Sequence, residues 1–444
     1  MPHSLGPAGR AAVLAEADTR RRRAVASRAA KWFCGLTLVV SALLPSQLTD
    51  PRQFDISAVL ATATISVGAI VVIAGARRIP RPAIWLVALP LLAPLIALFV
   101  SGGRFSDLIF AERPFVFTAV LVLALLAHKN VGRRGEVPFA RAIRLLGALE
   151  GLLALAQRAG LELQPWYGAA VRTLGSGDDR AYGTLGHPIM LGLFCGFALL
   201  CSLSAPRHID VIAVPLQLVG LVLSGSRGPW TATVVGLLFL AWSRREVLLR
   251  HVGQVVLFVT LGAAAMTLIS ITASATVGAY LGEASSRLDG IGTDQSSLAR
   301  ALRLNEGWSI FTASVRSVAL GNGPAFATHY LLNHAFSDNQ AAVFDQSYLS
   351  WAIDYGSVGL MLIILPLAIV LLRPGAMQAG AVLLLIALAG FDQSTWAVSY
   401  VMQAILVASA LTVGSAVTNL DNGWGESGSA QQPASTVSRH VRWR

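Results

Sequence analysis

The sequence predicts an all-α integral membrane protein with about twelve transmembrane helices. Its composition is the first indication, because 55% of the residues are hydrophobic and 13% are charged, whereas soluble domains carry roughly 25% charged residues. The second is the recurrence of apolar segments long enough to cross a hydrocarbon core of roughly 30 Å. The third is the positive charge, which is concentrated in alternate links between these segments.

The predicted organisation runs from a basic leader to a polar tail. Residues 1–31 are rich in Arg and Ala and are expected to lie in the cytoplasm against anionic lipid headgroups. No small-residue cleavage site follows, so residues 32–277 are expected to hold uncleaved spans one to nine. Residues 278–351 form a large loop, residues 352–417 hold spans ten to twelve, and residues 418–444 are expected to be disordered. The predicted spans are 32–49, 56–75, 83–100, 110–128, 139–158, 186–204, 210–224, 228–242, 253–277, 352–372, 376–390 and 396–415.

For two of the apolar segments, the interpretation as membrane spans depends on the polar residues that they contain. Segment 139–158 carries several charged side chains, so it either crosses the membrane or lies at its surface. The run from Val211 to Trp242 has Arg227 as its only charge and is too long for one span with ordinary tilt. Its Gly- and Pro-containing stretch SGSRGP, residues 224–229, predicts a break that leaves Arg227 in a turn between two short helices.

The distribution of positive charge predicts the orientation. Arg and Lys are frequent in the leader, in the tail and in every second link, which predicts cytoplasmic N- and C-termini. The remaining short links carry fewer basic residues, among them Arg180 and Arg227, which are therefore expected at the outer face. The chain is therefore expected to cross the membrane many times and to contact membrane lipids.

Composition excludes two kinds of partner. The net charge is +11, but the basic residues are scattered between apolar segments instead of gathering on one face, so no nucleic acid partner is expected. Cys34, Cys195 and Cys201 lie within apolar segments and show no CxxC or Cys/His spacing. Neither a metal site nor a cofactor is expected.

The loop between spans nine and ten is much larger than the others. Loops beyond about fifteen residues in compact proteins are usually functional or disordered, and this one contains enough Trp, Tyr, Phe and Leu to pack. It holds a predicted amphipathic helix in SSLARALRLNEGWSIFTASV, followed by the turn-rich ALGNGPAFATHY. We expect an ordered, partly helical extracytoplasmic cap over the outer end of the helices.

Two arginines near outer helix ends indicate a phosphate-bearing ligand. Arg180 lies in GDDRAYGTLGHPIMLG, where His187 precedes span six, so a guanidinium, an imidazole and backbone amides meet at a helix N-terminus. Arg227 is the second, and arginine binds phosphate oxygens bidentately without losing its proton. Asp345, shortly before span ten, is a candidate general base toward a sugar hydroxyl.

The same residues can instead have purely structural roles. Both arginines can serve as cations that reach lipid headgroups, although the tight turn around Arg227 limits that reach. Asp345 can be a loop-capping residue, and His187 a structural residue at a helix start. His329 and His334 can be ordinary loop residues.

The stretch RAYGTLGHPIMLG, followed about forty residues later by SGSRGPW, resembles the O-antigen ligase and O-antigen polymerase superfamily of bacterial membrane glycosyltransferases. The large outer loop and DQSYLSWAIDYGSVGL at the start of span ten strengthen the resemblance, which covers roughly residues 140–372. It implies a donor of polyprenyl-diphosphate-linked glycan, a glycan or lipid-linked glycan acceptor, no metal, and a site on the outer side of the bacterial cytoplasmic (inner) membrane.

Carried onto this sequence, the resemblance implies that Arg180 and Arg227 hold the donor diphosphate. Ligases of the family usually show His-Asn where this chain has Asp345–Gln346, and an Asn where it has Ile189. Asp345 is therefore the expected base, with His329 or His334 as alternatives from the loop, and a polymerase is favoured over a ligase. The residues expected to contact substrate are His187, Arg300, Arg303 and Tyr348.

The resulting hypothesis is an inverting glycosyltransferase of O-antigen, capsule or exopolysaccharide biosynthesis. A ligase that attaches glycan to a lipid or protein acceptor is the first alternative. A lipid-linked glycan flippase or other transporter is the second, although such folds usually show internal repeats and ionisable residues at the bilayer midplane. A non-catalytic scaffold is the third.

Overall fold

The computed structural model consists mainly of α-helices joined by turns. No strand occurs among the described residues, so the all-α prediction is confirmed for them. The ninth predicted span, 253–277, lies outside them except for residue 253. The described residues are 7–43, 56–76, 79–127, 139–161, 180–204, 207–243, 295–334, 346–372, 378–390 and 397–423, with 245, 253 and 344 as single positions.

Most helices coincide with the segments that hydropathy predicts, because the backbone groups of an apolar run are best satisfied by the hydrogen bonds of a helix. The helices are α1 (Pro7–Leu43), α2 (Ile56–Gly75), α3 (Arg81–Ser101), α4 (Phe105–Ala127), α5 (Ala140–Arg158), α6 (Pro188–Ser204), α7 (Asp210–Leu223), α8 (Arg227–Ser243), α9 (Gln295–Phe311), α10 (Val315–Leu320), α11 (Phe326–Asn333), α12 (Ser347–Leu372), α13 (Gln378–Gly390) and α14 (Ala397–Gly423).

The helices at the two ends of the chain extend beyond the predicted spans. The leader and the first span form the single helix α1, because residues 10–31 are mostly Ala, Arg and other good helix formers with no Gly or Pro. At the other end, α14 continues past Val417, where disorder was expected, and ends at Gly423. Residues 424–444 lie outside the described part of the chain.

Among the described residues, three helices are long and apolar enough to cross a membrane by length and composition: α3, α4 and α12. Large apolar side chains stay exposed on the outside of the bundle, including Phe99 at 85%, Met361 at 72% and Leu372 at 81%. Soluble monomers rarely expose contiguous apolar surface, whereas a lipid-facing helix must. The helices therefore fit a membrane protein.

Helix α6 runs through the centre of the bundle. Every described residue from Met190 to Ser202 is buried, and α6 packs against α5, α7, α8, α13 and α14. A helix that is apolar on all sides is expected where other helices surround it. The segments that precede and follow α6 in the chain therefore lie next to the helices that surround it.

Helix α5 explains the ambiguous segment 139–158, because its charged face is turned inward. Glu150 and Arg144 are buried, while Leu145, Leu149 and Leu152 are exposed. Glycines let the neighbouring backbones come close, and a Cβ added at Gly151 would lie 1.9 Å from the carbonyl oxygen of Leu216 on α7. We conclude that α5 packs on the bundle through its polar face and turns a row of leucines outward.

A buried polar network ties α5 to α6 and α7. Arg144 Nη2 donates to the carbonyl oxygen of Cys201 at 2.9 Å, and its Nε lies 3.6 Å from Asp210 Oδ1. Gln217 Nε2 donates to the carbonyl oxygen of Arg144 at 3.0 Å, and Ser202 Oγ donates to Gln217 Oε1 at 3.2 Å. Each partner offsets the cost of burying the other, so the network fixes the relative positions of the three helices.

The predicted break around Arg227 is confirmed. Helix α7 ends at Leu223 and α8 begins at Arg227, with Gly225 at φ 58° in the turn between them. The turn satisfies its own polar groups, since Ser226 Oγ donates to the carbonyl oxygen of Ser224 and Trp230 Nε1 donates to that of Leu221. Arg227 thus occupies the first turn of a helix.

The described part of the large loop, residues 295–334, forms three short helices that we call the cap. Its core contains Phe344, Leu349 and Ile353 from the region where α12 begins. The predicted amphipathic helix is confirmed as α9, which packs so closely that a Cβ at Gly307 would lie 2.6 Å from Leu349 Cδ2. The stretch ALGNGPAFATHY is not a turn throughout, because α11 begins at Phe326.

Helix α12 begins at Ser347, earlier than the predicted 352, and is broken at Gly356, where φ is 68° and ψ is −176°. The break frees carbonyl groups that the cap uses. The backbone N–H groups of Asn322 and Gly323 donate to the carbonyl oxygens of Ile353 and Asp354 at 2.9 and 3.1 Å. The break is therefore the attachment point of the cap.

We predict that Gly356→Ala destabilises the protein by at least about 2 kcal/mol. The left-handed backbone disfavours a side chain, and the added Cβ would lie 2.4 Å from the backbone of Ala319. The measurement is the midpoint of thermal unfolding in detergent. Gly228→Ala is the matched control, because Gly228 is helical with nothing within 4 Å of an added Cβ, and an equal loss there would contradict the prediction.

Candidate functional site

The starts of α8 and α12 lie at the same end of the bundle. A Cβ at Gly390, the last residue of α13, would lie 4.0 Å from the Cα of Gly228, beside Arg227. Tyr348 Oη, at the start of α12, donates to the carbonyl oxygen of Leu385 on α13 at 2.6 Å. The cap packs on this start of α12, so we call this end of the bundle the cap end.

The Arg180 segment, residues 180–187, reaches the cap end as well. The N–H of Ala181 donates to the carbonyl oxygen of Leu223 at 3.0 Å, which joins the segment to the last residue of α7. The turn that leads to Arg227 follows directly. A Cβ at Gly192 on α6 would lie 2.6 Å from Ser224 Oγ, so α6 packs against the same turn. The structure thus brings together the segments that carry the two arginines of the predicted anion site.

The backbone amides of residues 181–184 are already bonded, although the sequence suggested that amides of this segment are available to an anion. Gln157 Oε1 accepts the N–H groups of Tyr182 and Gly183 at 3.1 and 2.9 Å. Glu150 Oε2 accepts the N–H of Thr184 at 2.9 Å. Any anion bound here must therefore rely more on the guanidinium groups than on these three amides.

His187 acts as a helix cap in its neutral form. The N–H of Ile189 donates to its Nδ1 at 3.2 Å, so Nδ1 is an acceptor without a proton and the ring hydrogen lies on Nε2. His187 lies in the turn before α6, where burial and the positive charge of Arg180 lower its pKa to about 3. The imidazole thus stays neutral beside the guanidinium and can donate a hydrogen bond through Nε2.

The other predicted substrate contacts take different positions. Tyr348 uses its hydroxyl hydrogen to join α12 to α13. Arg303 is buried at 8% exposure inside the cap, one helical turn before Gly307. Arg300 lies on α9, but its side chain is outside the description, and Asp345 lies outside the described residues altogether.

The two loop histidines differ in their partners. His329 Nε2 lies 3.4 Å from Asp107 Oδ1 at the start of α4. His334 stacks on Tyr330 with ring centroids 4.2 Å apart, and Tyr330 donates its hydroxyl to Glu306, which raises the Tyr330 pKa. An Asp–His pair is the arrangement that orients an imidazole as a base, so His329 has the better geometry.

Sequence inspection missed the residues that hold the site in place. In the sequence, Glu150 is one of several charges in segment 139–158, and Gln157 carries no signal of its own. Glu112 on α4 was also missed, although a carboxylate in an apolar run is unusual. Its Oε2 is buried without a hydrogen-bond partner among the described residues, one turn before Phe115, whose ring lies 6.5 Å from that of Trp351.

No known protein family model matches the chain, and no curated protein matches its sequence. Among the described residues, no group of three or more His, Cys, Asp or Glu side chains is arranged to hold a metal ion.

We predict that the free energy of unfolding decreases as the pH is lowered, and that His187 is one cause of this decrease. Its pKa is 6.5 in its unperturbed form and about 3 in the fold, so its stabilising contribution is complete above pH 6.5 and is lost progressively as the pH falls toward 3. Between pH 7.5 and 5, the unfolding temperature in detergent should fall less in His187→Asn than in the unsubstituted protein, because the Asn oxygen keeps the cap without titrating. His208→Asn at an exposed position is the control. Equal pH dependence in all three proteins would contradict the prediction.

Proposed function

We propose that the chain is a membrane glycosyltransferase that transfers or polymerises polyprenyl-diphosphate-linked oligosaccharides. The observation that carries the proposal is the hydrogen bond from Ala181 to Leu223, which brings the Arg180 segment to the turn that precedes Arg227. Two arginines at one end of an apolar bundle, beside a folded cap, match what a lipid-linked diphosphate requires. The lipid chain stays in the membrane while the diphosphate meets cations at its surface.

The proposal includes the predicted topology. About twelve spans with both termini in the cytoplasm, in the inner membrane of a bacterium, would put the cap end at the outer face. The alternation of basic residues between links supports this orientation. The product would belong to O-antigen, capsule or exopolysaccharide.

The two arginines have an electrostatic role in the proposed reaction. The bond between the anomeric carbon and the diphosphate oxygen breaks, and negative charge grows on the leaving polyprenyl diphosphate. Arg180 and Arg227 stabilise that charge, and removal of a comparable preorganised donor in other enzymes costs about 3–4 kcal/mol. No metal or cofactor has a part in this scheme.

A base completes the transfer. It takes the proton of the acceptor hydroxyl while the oxygen attacks the anomeric carbon from the side opposite the diphosphate, which inverts that centre. Asp345 is the proposed base because it comes just before α12 in the chain. His329 is the second candidate, favoured by the Asp107 carboxylate at 3.4 Å.

The packing of α5 argues against the transporter alternative. Buried ionisable residues such as Arg144 and Glu150 are typical of transport pathways. Here, however, the stretch between them is closed, because a Cβ at Gly147 would lie 2.4 Å from that of Ala198 and Gly151 meets the α7 backbone. A ligase remains the alternative within the same chemistry, with a lipid or protein acceptor.

We predict that Arg227→Ala lowers turnover by roughly a hundredfold or more, since it removes one cation from the leaving group. The assay supplies purified protein in lipid vesicles with a polyprenyl-diphosphate oligosaccharide and measures released polyprenyl diphosphate. Arg104→Ala, an exposed arginine in the link between α3 and α4, should keep normal turnover. Undiminished release by Arg227→Ala would refute the proposal, and movement of intact donor across the bilayer would indicate a flippase.

We predict that Asp345→Asn abolishes transfer, whereas His329→Asn retains it. If Asp345 is the base, turnover of the unsubstituted protein should rise with pH through a single ionisation, and Asp345→Asn should remove that rise. The pH profiles of the unsubstituted protein and of His329→Asn in the vesicle assay, together with the residual rate of Asp345→Asn, decide between the candidates. Loss of activity in His329→Asn together with Asp107→Asn, but not in Asp345→Asn, would assign the base to the Asp–His pair.

A further inference from the structure

We infer that Glu150 is a positioning residue that works as a neutral carboxylic acid and holds the Arg180 segment in place from inside the bundle. The expected effect on turnover rests on the proposed function, whereas the expected effect on the position of the segment does not. No step of the proposed reaction uses Glu150, and a fully buried carboxyl group at the centre of an apolar bundle requires an explanation.

The contacts of Thr184 define the protonation state of Glu150. Thr184 Oγ1 is a hydrogen-bond partner of two groups, the carbonyl oxygen of Ala42 at 2.9 Å and Glu150 Oε1. A carbonyl oxygen only accepts, so both contacts are hydrogen bonds at once only if the single hydroxyl hydrogen serves Ala42. The bond to Glu150 then needs a hydrogen from the carboxyl group itself, which only the protonated acid supplies.

The second oxygen of the carboxyl group completes the contact. Glu150 Oε2 accepts the N–H of Thr184 at 2.9 Å, so one neutral carboxyl group pairs with both the backbone and the side chain of the same residue. A neutral acid also avoids the large cost of an isolated buried charge. Ala42 belongs to α1, so the contact joins α1, α5 and the Arg180 segment.

The segment cannot move away from Glu150 without losing its conformation. Gly183 has φ 59°, and a Cβ there would lie 2.1 Å from Glu150 Oε2. About two helical turns further along α5, Gln157 Oε1 accepts the N–H groups of Tyr182 and Gly183. These bonds define where the segment leaves α5, and hence where Arg180 stands next to the turn before Arg227.

A rival role for Glu150 is that of an ionising group, either a proton carrier or a catalytic acid or base. The two roles make opposite predictions for Glu150→Gln. The amide keeps the shape, its oxygen accepts the Thr184 N–H, and its NH₂ donates to Thr184 Oγ1, so the neutral contact is reproduced. An ionising role would be lost completely.

The first experiment measures the position of the segment without any substrate. Tyr182→Cys provides a thiol in the segment, while Cys34, Cys195 and Cys201 are buried, and its rate of maleimide modification is followed in vesicles. We expect Glu150→Ala to raise this rate by roughly tenfold to a hundredfold, since it leaves polar groups of Thr184 unpaired. Glu150→Gln should leave the rate unchanged within about twofold.

The second experiment measures donor turnover in the vesicle assay for the variants without the reporter cysteine. Glu150→Ala should lower kcat/KM by roughly tenfold to a hundredfold, and Glu150→Gln should restore it. Gln217→Ala is the matched control, because Gln217 is a buried polar side chain that also bonds α5 but does not contact the segment. Gln157→Ala, with Gln157→Glu as its conservative partner, repeats the test should Glu150→Ala fail to fold.

The outcomes separate this inference from the proposed function. Equal loss in Glu150→Gln and Glu150→Ala would overturn the inference, because it would require an ionising group. Equal labelling of Gln217→Ala and Glu150→Ala would overturn it as well, because the effect would be general loosening. The expected labelling pattern in a protein without donor turnover would support the positioning role and refute the glycosyltransferase.

Discussion

The bonds from α5 to the Arg180 segment are the interactions on which the candidate site depends. A segment that lies among apolar helices has no water to satisfy its amides, so each unpaired amide would cost several kcal/mol. Glu150 and Gln157 meet this need from the inner face of α5. In doing so they also determine where the chain enters α6, and thus where Arg180 and His187 stand. The inward charge of α5, unusual for an apolar bundle, follows from this requirement.

The same constraint attaches the cap to the bundle. A break in a buried helix releases carbonyl groups that need new donors. Gly356 makes such a break in α12, and Asn322 and Gly323 supply the donors from the cap. Asp354 adds a third bond, since its Oδ1 accepts the N–H of Ala327 at 2.7 Å and thereby caps α11. The cap is thus bonded to the helix that begins beneath it, and its position relative to the cap end is set by hydrogen bonds as well as by apolar packing.

The two attachments have a common consequence for the proposed chemistry. Three amides of the Arg180 segment are bonded to α5, so a diphosphate at this site would be bound mainly by guanidinium groups. Guanidinium groups keep their charge at any physiological pH and bind two oxygens at once. A site built in this way gains its geometry from the surrounding helices and its charge from the arginines that they position.

The sequence by itself determined where most helices lie and where the chain turns, because hydropathy and Gly/Pro content are local properties; the break before Arg227 is the clearest case. It also indicated a helix in the loop, confirmed as α9, and a shared end for Arg180 and Arg227. Only the tertiary structure decided that Glu150 faces inward, that the loop amides are occupied and that α12 breaks at Gly356. Those features depend on partners far away in the chain, such as Thr184 for Glu150 and Asn322 for Ile353. The direction of a side chain within a bundle follows from its neighbours, and no local pattern contains them.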